Sequence, residues 1–135
     1  MGAWGMGPFD NDGVLDALGH LGDLEDLPGG LASTMREILA EEDYVDAPEL
    51  SAAVAVACLI GARLAGAEPN VNAARWLEQH PFTVTGPLRD LAHATLDRAA
   101  RPDDNELYEL WEESGALAEW LDSLAPYRRT LAAGS

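Results

Sequence analysis

Apolar residues recur at three- and four-residue intervals along nearly the whole chain, and this helical period sharply limits the folds it can adopt. Leu31, Met35 and Ile38 form one such stripe. Alternation of apolar and polar residues, the period of a half-buried strand, is not sustained, and residues 82–85 form the only short candidate for a strand. The pattern predicts an all-α fold of six or seven helices, preceded by an N-terminal coil rich in glycine and aromatic residues.

The length of 135 residues suits a single compact domain, residues 1–135, because such a chain has enough apolar material for one core but not for two. Its most apolar segment, residues 50–62, is shorter than the roughly 20 residues needed to cross a bilayer. We interpret this segment as a buried helix in which Cys58, the only cysteine, is a core residue. A lone cysteine and the lack of a secretory signal favour a cytoplasmic protein.

Two pairs of acidic residues mark expected helix starts. Asp46 and Glu49 stand at the spacing of a capping box, and so do Asp103 and Glu106. We therefore expect the side chains of Asp46 and Asp103 to accept hydrogen bonds from the first backbone N–H groups of the helices that follow them.

The carboxyl-terminal third of the chain predicts two further helices. Leu107, Leu110 and Trp111 are expected on the inward face of the first, with glutamates on its outer side. Pro126 lies inside the apolar pattern of the second helix, where a proline is expected to kink the helix or to begin a fresh segment.

The distribution of charge is the main functional signal in the sequence. The chain has 24 acidic and 8 basic residues, all of the latter arginine, and a net charge of −16. Residues 1–50 sum to −11, residues 51–102 to +1 and residues 103–135 to −6. Such segregation predicts a sided acidic surface if the fold brings the two ends together. Direct contact with nucleic acid or an anionic membrane is disfavoured, whereas a partner protein with a basic surface is favoured.

The N-terminal coil combines aromatic rings with a turn of acidic and amide side chains. Trp4 and Phe9 stand among glycines, and their rings would dock on the helical body, line a pocket, meet a partner or form a dimerisation arm. Asp10, Asn11 and Asp12 are adequate helix caps, or else belong to a small-molecule or metal-dependent site. The register does not fit an EF-hand, because the first ligand and the bidentate glutamate are missing.

No residue pattern marks a catalytic centre. The three histidines stand on different predicted elements without the spacing of a zinc site, and the chain has no lysine for Schiff-base or phosphate-loop chemistry. The serines fall within or beside helices rather than in a nucleophile elbow. We therefore assign no catalytic residue, no metal ligand and no cofactor, and we favour a non-enzymatic role.

Both ends of the chain resemble a known family. The opening MGAWGMGPFDND and the closing NELYELWEESGALAEWLDSLAPYRRTL are similar to the ends of a bacterial family catalogued as domain of unknown function 4259. The resemblance implies a small, intracellular, helical protein. It also marks the positions that we take as candidate binding residues: Trp4, Phe9, Asp10, Asn11, Asp12, Trp111, Glu112 and Glu113.

These observations together favour a non-enzymatic interaction module that uses its acidic end segments to bind a basic partner. Several uncharacterised families that neighbour this one resemble immunity proteins of bacterial toxin systems, which suggests an inhibitor of that kind. The alternative is a small-molecule or metal-dependent site at the N-terminal turn.

Overall fold

A computed structural model describes residues 12–23, 25–41, 43–66 and 71–133, and these ranges contain seven helices and no strand. The predicted all-α class is therefore confirmed. The segment 82–85, the candidate strand, connects two helices without pairing. The helices are α1 (Asp12–Gly22), α2 (Leu27–Ala40), α3 (Ala47–Ala65), α4 (Val71–Gln79), α5 (Gly86–Ala99), α6 (Glu106–Glu113) and α7 (Leu117–Ala133).

The central helix, α3, packs against α1, α2, α5, α6 and α7. Residues 53–62 are all buried, as the apolar run predicted, and Cys58 is fully enclosed among them. By length and composition α3 is the one helix among the described residues that could span a membrane, but 67% of its most apolar window is buried inside the fold. That degree of burial is typical of the core helix of a soluble protein.

The start of α6 corrects one of the predicted caps. Its capping residue is Asn105, whose side chain accepts a hydrogen bond from the backbone N–H of Tyr108 at 2.8 Å, so the expectation for Asp103 is wrong. The backbone carbonyls of Asp103 and Asp104 instead accept hydrogen bonds from the buried guanidinium of Arg98, each at 2.9 Å. The turn thus folds around Arg98, and this places Asn105 rather than an aspartate at the helix start.

Asp46 occupies the capping position of α3, but its side chain makes no capping hydrogen bond. The first N–H group of α3, that of Ala47, donates instead to a carboxylate oxygen of Glu106, at 2.7 Å. The cap of α3 that the sequence assigned to Asp46 is therefore supplied by Glu106, because the fold brings the start of α6 against the start of α3.

The last two helices also differ in part from expectation. Leu107 is buried, but Leu110 is 49% exposed, so its predicted inward position is wrong. The eight-residue α6 packs on α3 and α7 along one narrow stripe, and Leu107 and Trp111, four residues apart, occupy it. α7 continues through Pro126, which is exposed, and no fresh segment begins there.

Candidate functional site

The connection between α2 and α3 is joined to the start of α6 by a short parallel bridge between Val45 and Asn105. The N–H of Val45 donates to the carbonyl of Asp104 at 2.9 Å, and the N–H of Glu106 donates to the carbonyl of Val45 at 3.1 Å. Val45 is 2% exposed and Asn105 is fully buried, so water does not compete for these groups. Two segments about 60 residues apart in sequence are thereby fixed side by side.

Two side-chain hydrogen bonds also connect these two segments, and we call the connection centred on Val45 and Asn105 the joint. A carboxylate oxygen of Glu106 accepts a hydrogen bond from the backbone N–H of Ala47 at 2.7 Å, and the hydroxyl of Tyr44 donates a hydrogen bond to the carboxylate of Glu109. The hydrogen bond to Glu109, partial desolvation and the nearby charges of Glu109, Glu106 and Asp46 raise the pKa of Tyr44 to about 12. The hydrogen bond to Glu109 is the largest of these causes, and the three carboxylates also lie close enough to the phenol for their charge to oppose formation of the phenolate.

Removing the carboxylate of Glu106 is expected to lower the free energy of unfolding by about 1 kcal/mol, since α3 loses its N-terminal acceptor. Urea denaturation of Glu106→Ala, followed by circular dichroism, measures this change. Glu113→Ala is the matched control, because its exposed glutamate stands at the opposite end of α6, and we expect a change within about 0.5 kcal/mol. Equal losses in the two variants would show that the Glu106 contact does not stabilise α3.

The joint gathers carboxylates from the two acidic stretches that the charge distribution singled out. We call this group the acidic face, and apart from the half-buried Glu106 its members are exposed. Its members are Glu41, Asp43, Asp46 and Glu49 from the first stretch, and Asp103, Asp104, Glu106 and Glu109 from the second. The fold therefore places parts of the anionic first and last thirds of the chain side by side, as the predicted sided surface requires.

A groove of about 580 Å³ adjoins the acidic face, between α1, α2 and the first turns of α3. Its apolar lining includes the buried side chains of Leu21, Ile38 and Val45. The rim is polar and mostly acidic, and is formed by His20, Thr34, Glu37, Glu41, Tyr44, Asp46 and Glu49. The groove and the acidic face share Glu41, Tyr44, Asp46 and Glu49, so they form one continuous surface.

The residues near the end of α6 have different surroundings. Trp111 is half-buried, and its ring stacks on that of Trp120 with centroids 6.2 Å apart, so its described contacts serve to pack α6 on α7. Glu112 and Glu113 are exposed about one turn beyond Glu109. A role for these three residues in binding stays a prediction.

The N-terminal candidates lie almost entirely outside the described residues. Trp4, Phe9, Asp10 and Asn11 are not among them, and Asp12 is the first residue of α1. The small-molecule or metal-dependent site at this turn accordingly stays a prediction.

Cys58 and Asp97, two titratable groups elsewhere in the described ranges, are respectively buried in the core and held in ion pairs. Burial raises the pKa of the Cys58 thiol well above its usual value, and this disfavours the reactive thiolate. His93 lies 3.6 Å from Asp97, and Asp97 also pairs with Arg128 at 2.9 Å. Among the described residues no three histidine, cysteine, aspartate or glutamate side chains are placed to hold a metal ion together.

Comparison with known proteins gives one match. The family model described as Domain of unknown function (DUF4259) matches residues 2–123, which include the acidic face and the groove. No curated protein and no solved structure matches the chain significantly.

Proposed function

The chain belongs to the DUF4259 family, and we propose that it is a protein-interaction module that binds a basic surface of another protein through its acidic face. The observation that carries this proposal is the Val45–Asn105 joint, which holds exposed carboxylates of two distant segments together. Like charges held close repel one another, so such an arrangement costs folding free energy that a cationic partner would relieve.

The ion pairs of the described residues support this interpretation. They use Asp90 and Asp97 on α5, which pair with Arg89 of the same helix and with Arg128 of α7. Residues 41–49 and 103–109, the segments that supply the acidic face, contain no basic residue. A purely solvating surface would be expected to spread its carboxylates evenly, whereas this chain holds eight of them on two adjoining segments beside a groove.

The acidic face would act by electrostatic steering. A concentrated negative field accelerates encounter with a basic surface and opposes binding of anionic molecules. We propose that nucleic acid and anionic membranes are therefore not direct partners. A basic enzyme that acts on nucleic acid is the natural target, because the surface that binds phosphate would also bind carboxylates; the protein would then inhibit it, as an immunity protein does. The buried free thiol of Cys58 agrees with a reducing compartment such as the bacterial cytoplasm.

The experiment is the binding of a stable basic reporter protein, cytochrome c, to the full chain in rising sodium chloride. We expect the affinity to fall at least about tenfold between about 0.02 M and 0.3 M salt, because the screening length shortens to below about 10 Å. Isothermal titration calorimetry measures the dissociation constant at each concentration. An affinity that does not change with ionic strength, or no binding at low salt, would contradict the proposed function.

A further inference from the structure

The groove beside the acidic face has the dimensions and the composition of a binding site. Its volume of about 580 Å³ lies within the usual range for ligand sites, roughly 300–1,000 Å³. Leu21, Ile38 and Val45 form an apolar floor, together with Ala17 and Ala52. Because Val45 is also held in the bridge to α6, one edge of the floor is fixed before any ligand arrives.

The carboxylates of the rim are distributed along the groove rather than gathered at one point. Glu37 and Glu41 stand four residues apart at the end of α2, while Asp46 and Glu49 stand at the start of α3. Among the described residues no three such groups converge as a metal ion requires. Carboxylates that are separated in this way suit a long ligand that carries several cationic groups along its length.

The surroundings of the groove identify the shape of that ligand. Strand addition, in which a peptide extends a sheet, would need a sheet edge, and the described ranges contain no strand. A proline-rich segment would need a groove lined by aromatic rings, and Tyr44 is the one aromatic residue in this lining. Helix-in-groove binding, in which a helix lays its apolar stripe on an apolar floor, fits the three helical segments that form the walls.

We propose that the groove receives a basic amphipathic helix of the partner protein. Apolar side chains of that helix, spaced three and four residues apart, lie on the floor, where the half-buried Ala17 and Ala52 adjoin the buried Leu21, Ile38 and Val45. Arginine or lysine side chains that flank its stripe pair with the carboxylates of the rim. This inference rests on the proposed function, because it specifies which part of a basic partner meets the acidic face.

Two synthetic peptides test the proposal. Both contain the same arginine, leucine and alanine residues, but one places leucine in a helical stripe and the other scrambles the order. We expect the amphipathic peptide to bind the full chain at least about tenfold more tightly at equal salt, because only its leucines reach the apolar floor together. Fluorescence anisotropy of labelled peptides measures both dissociation constants.

A variant in which a large side chain fills the groove tests whether the peptide binds there, and a second variant with the same substitution outside the groove is its control. Ala52→Trp places a large ring on the floor and keeps every carboxylate, whereas Ala94→Trp places the same ring on α5, in a separate cavity beside Asp97. We expect Ala52→Trp to abolish the preference for the amphipathic peptide and Ala94→Trp to retain it. If Ala52→Trp fails to fold by circular dichroism, Ala17→Trp on the α1 wall serves the same purpose.

The outcomes separate this inference from the proposed function. Equal binding of the two peptides, or a preference that survives the filled groove, would overturn the proposed helix site and leave a salt-dependent acidic face standing. Absence of binding by both peptides at low salt would overturn the helix site, and it would overturn the proposed function as well if cytochrome c also fails to bind.

Discussion

Replacement of Asn105 by alanine is expected to lower the free energy of unfolding by about 3 kcal/mol, the largest effect that we expect from one substitution. The side-chain amide donates to the carbonyls of Ala99 and Arg101 at 2.9 Å each, and its oxygen accepts the N–H of Tyr108 at 2.8 Å. Asn105 is fully buried, so its loss leaves the carbonyl of the buried Ala99 and the N–H of Tyr108 without this hydrogen-bond partner. Each such group costs about 1–3 kcal/mol.

Asp103→Ala is the matched control, because Asp103 is the exposed residue that the capping-box spacing singled out and its side chain does not cap α6. We expect its free energy of unfolding to change by less than about 0.5 kcal/mol. Urea denaturation followed by tryptophan fluorescence measures both variants. Similar losses for Asn105→Ala and Asp103→Ala would show that the buried amide does not hold the turn between α5 and α6.

The features that the sequence predicts well depend on local patterns. Residues 53–62 are buried as the apolar run indicates, and Cys58 is enclosed among them. Thr85, which directly precedes a regular apolar pattern, caps α5 through the N–H of Leu88 at 3.3 Å. Neighbouring residues determine each of these outcomes, and hydrophobic period and capping preference describe such neighbours directly.

The features that the sequence does not predict depend on contacts between distant segments. Spacing alone cannot show that Glu106 caps α3, since its partner Ala47 lies 59 residues earlier. The burial of Asn105 likewise requires knowledge of how the turn folds around Arg98. Leu110 is exposed because it lies off the stripe by which α6 packs on α3 and α7, and the apolar period does not reveal how many neighbours a helix will have.

The acidic face could be predicted in part. Counting charges along the chain separated two anionic stretches from a neutral middle, and a sided surface then required the fold to bring the two stretches together. The joint at Val45 and Asn105 and the groove beside it depend on tertiary packing, so no count could locate them. One available signal was missed: Tyr44 stands within the acidic run EEDYVD, where an aromatic side chain suggests a contact rather than simple solvation.

Neutralising the acidic face is expected to have the largest effect on binding. The face variant combines Glu41→Gln, Asp46→Asn, Glu49→Gln and Glu109→Gln, and it keeps Glu106, whose carboxylate caps α3. The control variant neutralises four exposed carboxylates elsewhere by Glu25→Gln, Glu78→Gln, Glu119→Gln and Asp122→Asn. Each variant loses four negative charges, so the net charge falls in magnitude from −16 to −12 in both.

The expected difference between the variants follows from the range of electrostatic forces. At about 0.1 M salt the screening length is about 10 Å, so a carboxylate influences a bound protein mainly when it lies near the interface. Charges at an interface alter association rates strongly, whereas distant charges contribute little beyond the weak long-range field. Both variants replace exposed groups by their amides, so we expect both to retain the helical content of the parent protein.

The most direct measurement is therefore the dissociation constant of cytochrome c for the parent protein and both variants in the same buffer at about 0.05 M salt. We expect the face variant to bind at least about tenfold more weakly than the parent protein, and the control variant to stay within about twofold. Equal weakening of the two variants would show that affinity follows net charge alone. That result would contradict the claim that the joined acidic stretches form a binding surface.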